Sequence, residues 1–303
     1  MVASTESLRQ QNRALVLACL REHAPVAHTD ISNMTGLSSA TVSTITADLL
    51  KEKIISKSEA PPPSGRGRPR VLFAQNPEAA YIAAVRITSD EIQYSLADYS
   101  GTLKDRFSGR RDTEQTNIAA FAADIAAGLE RLVQRSSLPQ EAIRTISITT
   151  KGLVDSDKGV LLWSPIFGDQ KVDFTALFAS GWKARIVLTN ETEYVARAIA
   201  QRQRVQKPHF GTRMIATLSL GHSIGLGIVT DRYGARPTAI APPFGHMTHL
   251  PDGPLCRCGE RGCIEAYAGF YAILRTTFEV PDQTIPAKFV PLAEMDKIAA
   301  KAR

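Results

Sequence analysis

The sequence predicts an α/β chain that begins with a winged helix-turn-helix. Three observations carry that expectation. Residues 1–75 hold three short helical patterns followed by a basic hairpin rich in proline and glycine. Residues 76–303 alternate strand-like and helix-like segments, the pattern of an α/β domain. Within that second part, Gly245 to Glu265 reads GHMTHLPDGPLCRCGERGCIE and holds three of the chain's four cysteines.

The totals limit the alternatives. A chain of 303 residues is long enough for two or three domains with a substantial core. Its 44% hydrophobic and 22% charged content is that of a globular protein rather than a disordered one. No apolar run reaches the roughly 18 residues of a membrane helix. The N-terminal MVASTESLRQQNRA lacks the basic-then-apolar pattern of a signal peptide. The chain is therefore expected in the cytoplasm, without membrane insertion, where cysteines stay reduced. A net charge of +6 does not by itself point to nucleic acid. Its placement says more. Lys51, Lys53, Lys57, Arg66, Arg68 and Arg70 fall within twenty residues, opposed there only by Glu52 and Glu59.

The first helix is expected over residues 4–23, with Leu8, Leu15, Val16, Cys19 and Leu20 on its apolar face and Pro25 as its stop. Cys19 reads as a buried core thiol. A short second helix follows, capped by Thr29 or Asp30, facing inward with Ile31 and Met34 and ending at Gly36. Ser38 or Ser39 caps a third helix whose buried face is Val42, Ile45 and Leu49. The other face shows Thr41, Ser43, Thr44 and Asp48. Small polar residues at the start of such a helix suit entry into the major groove, which is about 12 Å wide. Ser38, Ser39, Thr41, Ser43 and Thr44 are the candidate DNA contacts on this helix. A small helical bundle with a solvated third helix would show the same helices, so the next segment matters.

Ile54 to Ser58 and Val71 to Phe73 read as paired strands, with EAPPPSGRGRPR between them. Gly65 and Gly67 keep that loop thin, and Arg66, Arg68 and Arg70 alternate along it. Thin backbone with extended arginines suits a narrow minor groove, whose potential attracts guanidinium groups. A basic hairpin merely solvated would carry the same charges. Helix-turn-helix and wing together favour binding to double-stranded DNA.

After Pro77 the period changes. Tyr81–Ile87 and Ile92–Asp98 are expected strands, with Tyr99-Ser100-Gly101 as the turn to a third. Residues 115–135 form a helix with Ile118, Phe121, Ile125, Leu129 and Leu132 in register. Further strands are expected over 145–149, 184–190, 214–220 and 225–230, with a hairpin ending near Trp163 and a helix over 191–204. One helix is expected over Glu265 to Leu274, and another at the C-terminus.

In the cysteine stretch, Cys256 and Cys258 are separated by one residue and Cys263 follows five residues later. His246 stands ten residues before Cys256. Thiolates and a neutral imidazole are the donors of a tetrahedral zinc site, and Cys3His closes the shell, so the ion would be structural. His249 is the alternative imidazole. A disulfide between Cys256 and Cys258 is sterically poor.

These residues resemble the ROK family of repressors, open reading frames of unknown role and sugar kinases. The family carries a G-H, then a P, then C-x-C-G-x-x-G-C-x-E. Here these are Gly245, His246, Pro251, Cys256, Cys258, Gly259, Gly262, Cys263 and Glu265. The resemblance implies a two-lobed actin-like, ribonuclease-H-like domain over 76–303, with lobes of about 76–185 and 186–303. With the N-terminal domain, 1–75, the chain is similar to the family's sugar-responsive repressors of catabolic operons. Family members usually continue for several more helices, so the chain is expected to be short at its C-terminus.

The departures from the kinases bear on chemistry. Their D-x-G-G-T phosphate turn corresponds to Arg86-Ile87-Thr88-Ser89-Asp90, without glycines and with an arginine for the aspartate. The second phosphate loop is half kept as Gly221-His222-Ser223-Ile224-Gly225-Leu226-Gly227. The Asn-Asp pair that supplies the general base becomes Asn190-Glu191, and Pro243 and Ile166 replace a glutamate and an asparagine. The Pro-Gly of P-G-x-V-D is Lys151-Gly152. Neither ATP binding nor catalysis is expected. The resemblance leaves Asn190, Glu191, His246 and Glu265 as a candidate effector pocket for a sugar or sugar phosphate. Glu191 as a helix cap and Glu265 as a support for the zinc loop are the simpler roles. The expectation is a zinc-containing regulator of carbohydrate genes, a homodimer or higher homo-oligomer. A sugar kinase with a DNA-binding arm, or a ligand-free regulator acting through a protein partner, are the alternatives.

Overall fold

Pro25 and Gly36 punctuate the start of the chain in the computed structural model. It describes residues 5–60, 70–112, 117–206, 211–232, 237–286, 290 and 292–301. Helix α1 (Thr5–His23) leads to a short strand β1 (Val26–Ala27), then helices α2 (His28–Thr35) and α3 (Ser39–Lys51). Gly36 closes α2 in the left-handed region, φ 70°, and donates to Ser32 O. Strands β2 (Ile55–Ala60) and β3 (Arg70–Gln75) follow, and the sheet order is β1-β3-β2, all antiparallel. Val16, Leu20, Ile31, Val42 and Leu49 form a fully buried core with Ile55 and Phe73. Arg9 pairs with Asp48 at 2.8 Å, joining α1 to α3.

Three local expectations are corrected. The start of α2 has no Thr29 or Asp30 cap, because Val26 and Ala27 pair with β3 and carry the chain directly into His28. Met34 is exposed, since Ile31 fills the inward position and Met34 lies in the last turn. Leu8 is exposed as well. Cys19 is buried as expected.

The remaining elements begin with strands β4 (Tyr81–Ile87), β5 (Glu91–Asp98) and β6 (Leu103–Arg110). Helix α4 (Ile118–Ser136) buries Phe121, Ile125, Leu129 and Leu132, and Asn117 caps it by accepting from Ala120 N. Next come β7 (Ile143–Thr150), β8 (Leu153–Asp155), β9 (Val160–Trp163), β10 (Val172–Asp173) and α5 (Phe174–Phe178). Strand β11 (Arg185–Asn190) runs into α6 (Glu191–Gln206). Then follow β12 (Thr212–Ser219), β13 (Gly225–Arg232), β14 (Thr238–Ile240), α7 (Glu265–Ala268), α8 (Phe270–Thr277) and α9 (Leu292–Lys301). The main sheet has the order β11-β7-β4-β5-β6, and β11 lies parallel to β7 with Asn190 opposite Thr150. That register sets Asn190 and Glu191 beside the turn at Lys151. The antiparallel sheet β12-β13-β14 packs against α6 through Ala196, Ala200, Ile215 and Val229.

Contacts divide the chain into two units, Met1–Ile82 with Leu96–Lys104, and Ala83–Ser95 with Asp105–Arg303. The single helix expected over 265–274 is two. Gly269 adopts an extended conformation, ψ 160°, closing α7 and opening α8. Among the described residues no helix is long and apolar enough to cross a membrane.

Candidate metal centre and ligand cavity

The cysteine stretch folds as a knot of tight turns. Gly262 has φ +72°, and a Cβ there would lie 1.6 Å from Leu250 O. Its amide donates to Pro254 O and its carbonyl accepts from His249 N at 2.7 Å. Within the knot the ligand atoms of His246, Cys256, Cys258 and Cys263 all lie within 4.8 Å of one another. Cys258 Sγ and Cys263 Sγ are 3.7 Å apart, and His246 Nδ1 is 3.6 Å from Cys256 Sγ. Tetrahedral zinc with Zn–S bonds of about 2.3 Å requires sulfurs roughly 3.7 Å apart, so the donor set fits such an ion. His249 is outside the cluster; it is exposed and its ring meets Tyr267 edge-on at 5.3 Å.

The donors differ in their ease of deprotonation. Burial pushes the Cys256 thiol up, and the hydrogen bond to His246, with others from backbone and Tyr271, brings it down to about 6. The same bond raises His246. Burial raises Cys258 and Cys263, and the Cys256 thiolate adds to both.

Beside the knot is a cavity of about 520 Å³. Strand β4 contributes Arg86, the β7–β8 turn Lys151, the β11–α6 junction Asn190 and Glu191, and the knot His246, Arg257 and Glu265. Arg86 donates to Glu191 Oε1 through Nε at 2.7 Å, and a second guanidinium nitrogen also reaches that oxygen. Arg257 Nη2 pairs with Glu265 Oε1 at 2.9 Å, donates to His222 O, and the guanidinium lies over the Tyr271 ring. Glu265 Oε2 accepts from Ile224 N at 3.1 Å. Asn190 is held from both ends. Its amide donates to Gly152 O at 2.7 Å, and its Oδ1 accepts from Thr192 N at 2.8 Å. The cap of α6 is thus Asn190 rather than Glu191. His246 Nδ1 faces Cys256 while its ring packs against Trp163 at the cavity wall. Pro243 lines the cavity without a polar side-chain atom.

The β4–β5 turn closes on itself. Thr88 Oγ1 donates to Asp90 Oδ1 and accepts from Glu91 N, both at 3.1 Å. Buried Arg111 donates through Nε to Ser89 O at 3.0 Å. At the ends of the turn the Thr88 amide donates to Glu91 O and the Glu91 amide to Thr88 Oγ1.

On α3, Ser38 caps the helix by accepting from Thr41 N at 3.2 Å. Ser39, Ser43 and Thr44 are exposed and Thr41 is half-buried. Arg70 reaches Asp30 on α2 at 3.0 Å, so its guanidinium is engaged at the base of the hairpin. Arg66 and Arg68 lie outside the described residues.

Sequence reasoning missed Arg257. It is the middle residue of Cys256-Arg257-Cys258, and only that position in the knot signalled it. The Arg86–Glu191 pair joins residues 105 apart, which no local pattern reveals.

A model described as the ROK family matches residues 82–303. The chain belongs to the ROK family. It is 24% identical over 299 residues to the xylose repressor of Bacillus spizizenii, covering 98% of this chain and 76% of that protein. A glucokinase of Thermotoga maritima is 33% identical over 168 residues, 55% of this chain and 51% of its own. A crystal structure of a ROK family transcriptional regulator, a homologue of the Escherichia coli Mlc protein, superposes with a TM-score of 0.69. It is 22% identical and covers 90% of this chain and 67% of the other, a likeness of fold.

Proposed function

We propose that this chain is a DNA-binding transcriptional repressor of carbohydrate-related genes, whose operator affinity is set by a sugar or sugar derivative held in the cavity. The observation that carries this reading is α3. It exposes Ser39, Ser43 and Thr44 while Val42, Ile45 and Leu49 hold it in the core. Three helices with the antiparallel β2–β3 hairpin behind them have the element order of a winged helix-turn-helix. The likeness to a xylose repressor supports the same reading. Asn190, Glu191, His246 and Glu265 are the proposed effector contacts, with the two carboxylates already oriented by arginines. His246, Cys256, Cys258 and Cys263 would hold one structural zinc, which stiffens the cavity wall. A homodimer would present two such helices to paired half-sites.

Sugar phosphorylation is not part of the proposal. The glutamate at the position of the kinases' base is bound by Arg86, and the β4–β5 turn is closed by Thr88 and Arg111. The test is selection of bound duplexes from a random pool by the full chain, followed by titration over a range of salt. A defined sequence should emerge, and Arg68→Ala should reduce the salt slope by about 1. Retention of all duplexes alike would overturn the reading of α3. Release of the selected duplex by at least one member of a sugar and sugar-phosphate panel is expected.

A further inference from the structure

Among the described residues three cations line the cavity, and two of them face carboxylates. Arg86 faces Glu191 and Arg257 faces Glu265. The third, Lys151, takes no ion pair among the described residues. It stands on the turn after β7, half-buried, with both arginines and both glutamates acting on it across the cavity. Burial lowers its pKa, as it does for a cation without a near counter-ion; Glu191 opposes the shift and Arg257 adds to it. The lining therefore holds one more cation than anion, and the surplus sits in the wall.

A neutral occupant would remove water from Lys151 and leave the ammonium without a partner, which is costly. An anionic group would supply that partner and would also lie in the field of Arg86 and Arg257, both fixed beforehand. We propose that the cavity selects a polyhydroxylated ligand bearing one anionic substituent, phosphate or carboxylate, and that Lys151 determines this selection. The inference rests on the sugar-responsive reading above and narrows it to the anionic members of that class. Arg86 and Arg257 position the ligand but are largely neutralised by their own glutamates. Lys151 is the cation whose charge is left to the ligand.

The experiment is calorimetric titration of the full chain with D-glucose, glucose 6-phosphate and glucuronate, repeated at higher salt. The same series is run on Lys151→Met, Lys151→Gln and Lys151→Arg. In the wild type an anionic sugar should bind at least about tenfold more tightly than glucose, the smallest value expected of one charge-assisted bond. The advantage should shrink with salt, persist in Lys151→Arg, and vanish in Lys151→Met or, should that variant fail to fold, in Lys151→Gln. Comparison of the phosphate and carboxylate ligands identifies which anion the site prefers. Glucose binding as tightly as both anionic sugars would overturn the inference and leave the regulator reading intact. An anionic preference unchanged in the neutral variants would also overturn it. Failure of all three ligands to bind would overturn the inference, whereas the effector reading stands or falls on operator release by the wider sugar and sugar-phosphate panel.

Discussion

Asp98 shows how a single residue is tied down. It is 2% exposed, its Oδ1 accepts from Ser100 Oγ and from the amides of Ser100 and Thr102, and Lys104 lies at 3.0 Å. Burial alone would raise its pKa, but the bonds from Ser100 and Lys104 outweigh that and hold the carboxyl below its ordinary value. A depressed carboxylate contributes stability above its unfolded pKa and loses it as pH falls through the folded one. Asp98→Ala should therefore cost about 1–3 kcal/mol at neutral pH. The deficit relative to wild type should narrow as the pH drops below the carboxylate range. Urea unfolding at pH 7 and pH 3 measures both, and an undiminished deficit at low pH would contradict the ionic origin. At the same scale Arg70, grouped by the sequence with Arg66 and Arg68 as a DNA contact, pairs with Asp30 at 3.0 Å.

Among the elements, the knot is the most dependent on backbone. Gly262 combines a left-handed φ with a carbonyl where a Cβ would stand. Gly262→Ala should lose about 1–3 kcal/mol from the backbone conformation alone. The displaced loop should bind metal at well under one ion per chain. Metal analysis of the purified variant checks this, and full occupancy with unchanged melting would refute the argument. The periodicity of α4 was readable because Phe121, Ile125, Leu129 and Leu132 repeat on one face. The division between α7 and α8 was not, because the apolar pattern runs through Gly269 without interruption. There the preceding turn is closed by Gly269 N donating to Glu265 O, and the chain leaves in an extended conformation.

At the scale of the whole molecule, the knot belongs to one of the two units and the α3 face to the other. If the ion is structural, its removal should act on the first of these alone. Calorimetry after treatment with a chelator should show the transition of the knot-bearing unit moved down by more than about 10 °C. Each kcal/mol lost from a unit of 150–250 residues shifts its midpoint by about 2–4 °C, and structural zinc contributes several. The N-terminal unit should melt as before. An equal fall in both transitions would mean that the units are not stabilised independently.

Family and element order were legible in the sequence because they depend on local signals. Pro25 and Gly36 delimit helices, Val42, Ile45 and Leu49 repeat at helical spacing, and three cysteines and two histidines fall within eighteen residues. The sequence put His246 ahead of His249, and the fold sets His246 among the thiols while His249 is exposed against Tyr267. The cavity needed the fold. Its arginines, lysine and glutamates come from β4, the β7–β8 turn, the β11–α6 junction and the knot, far apart in the chain. In the sequence Arg86, Lys151 and Glu191 are three unconnected positions. The parallel register of β11 on β7 and the Arg86–Glu191 bond join them into one charged wall. Local pattern determines which residues form an element. Only long-range packing decides which charges meet.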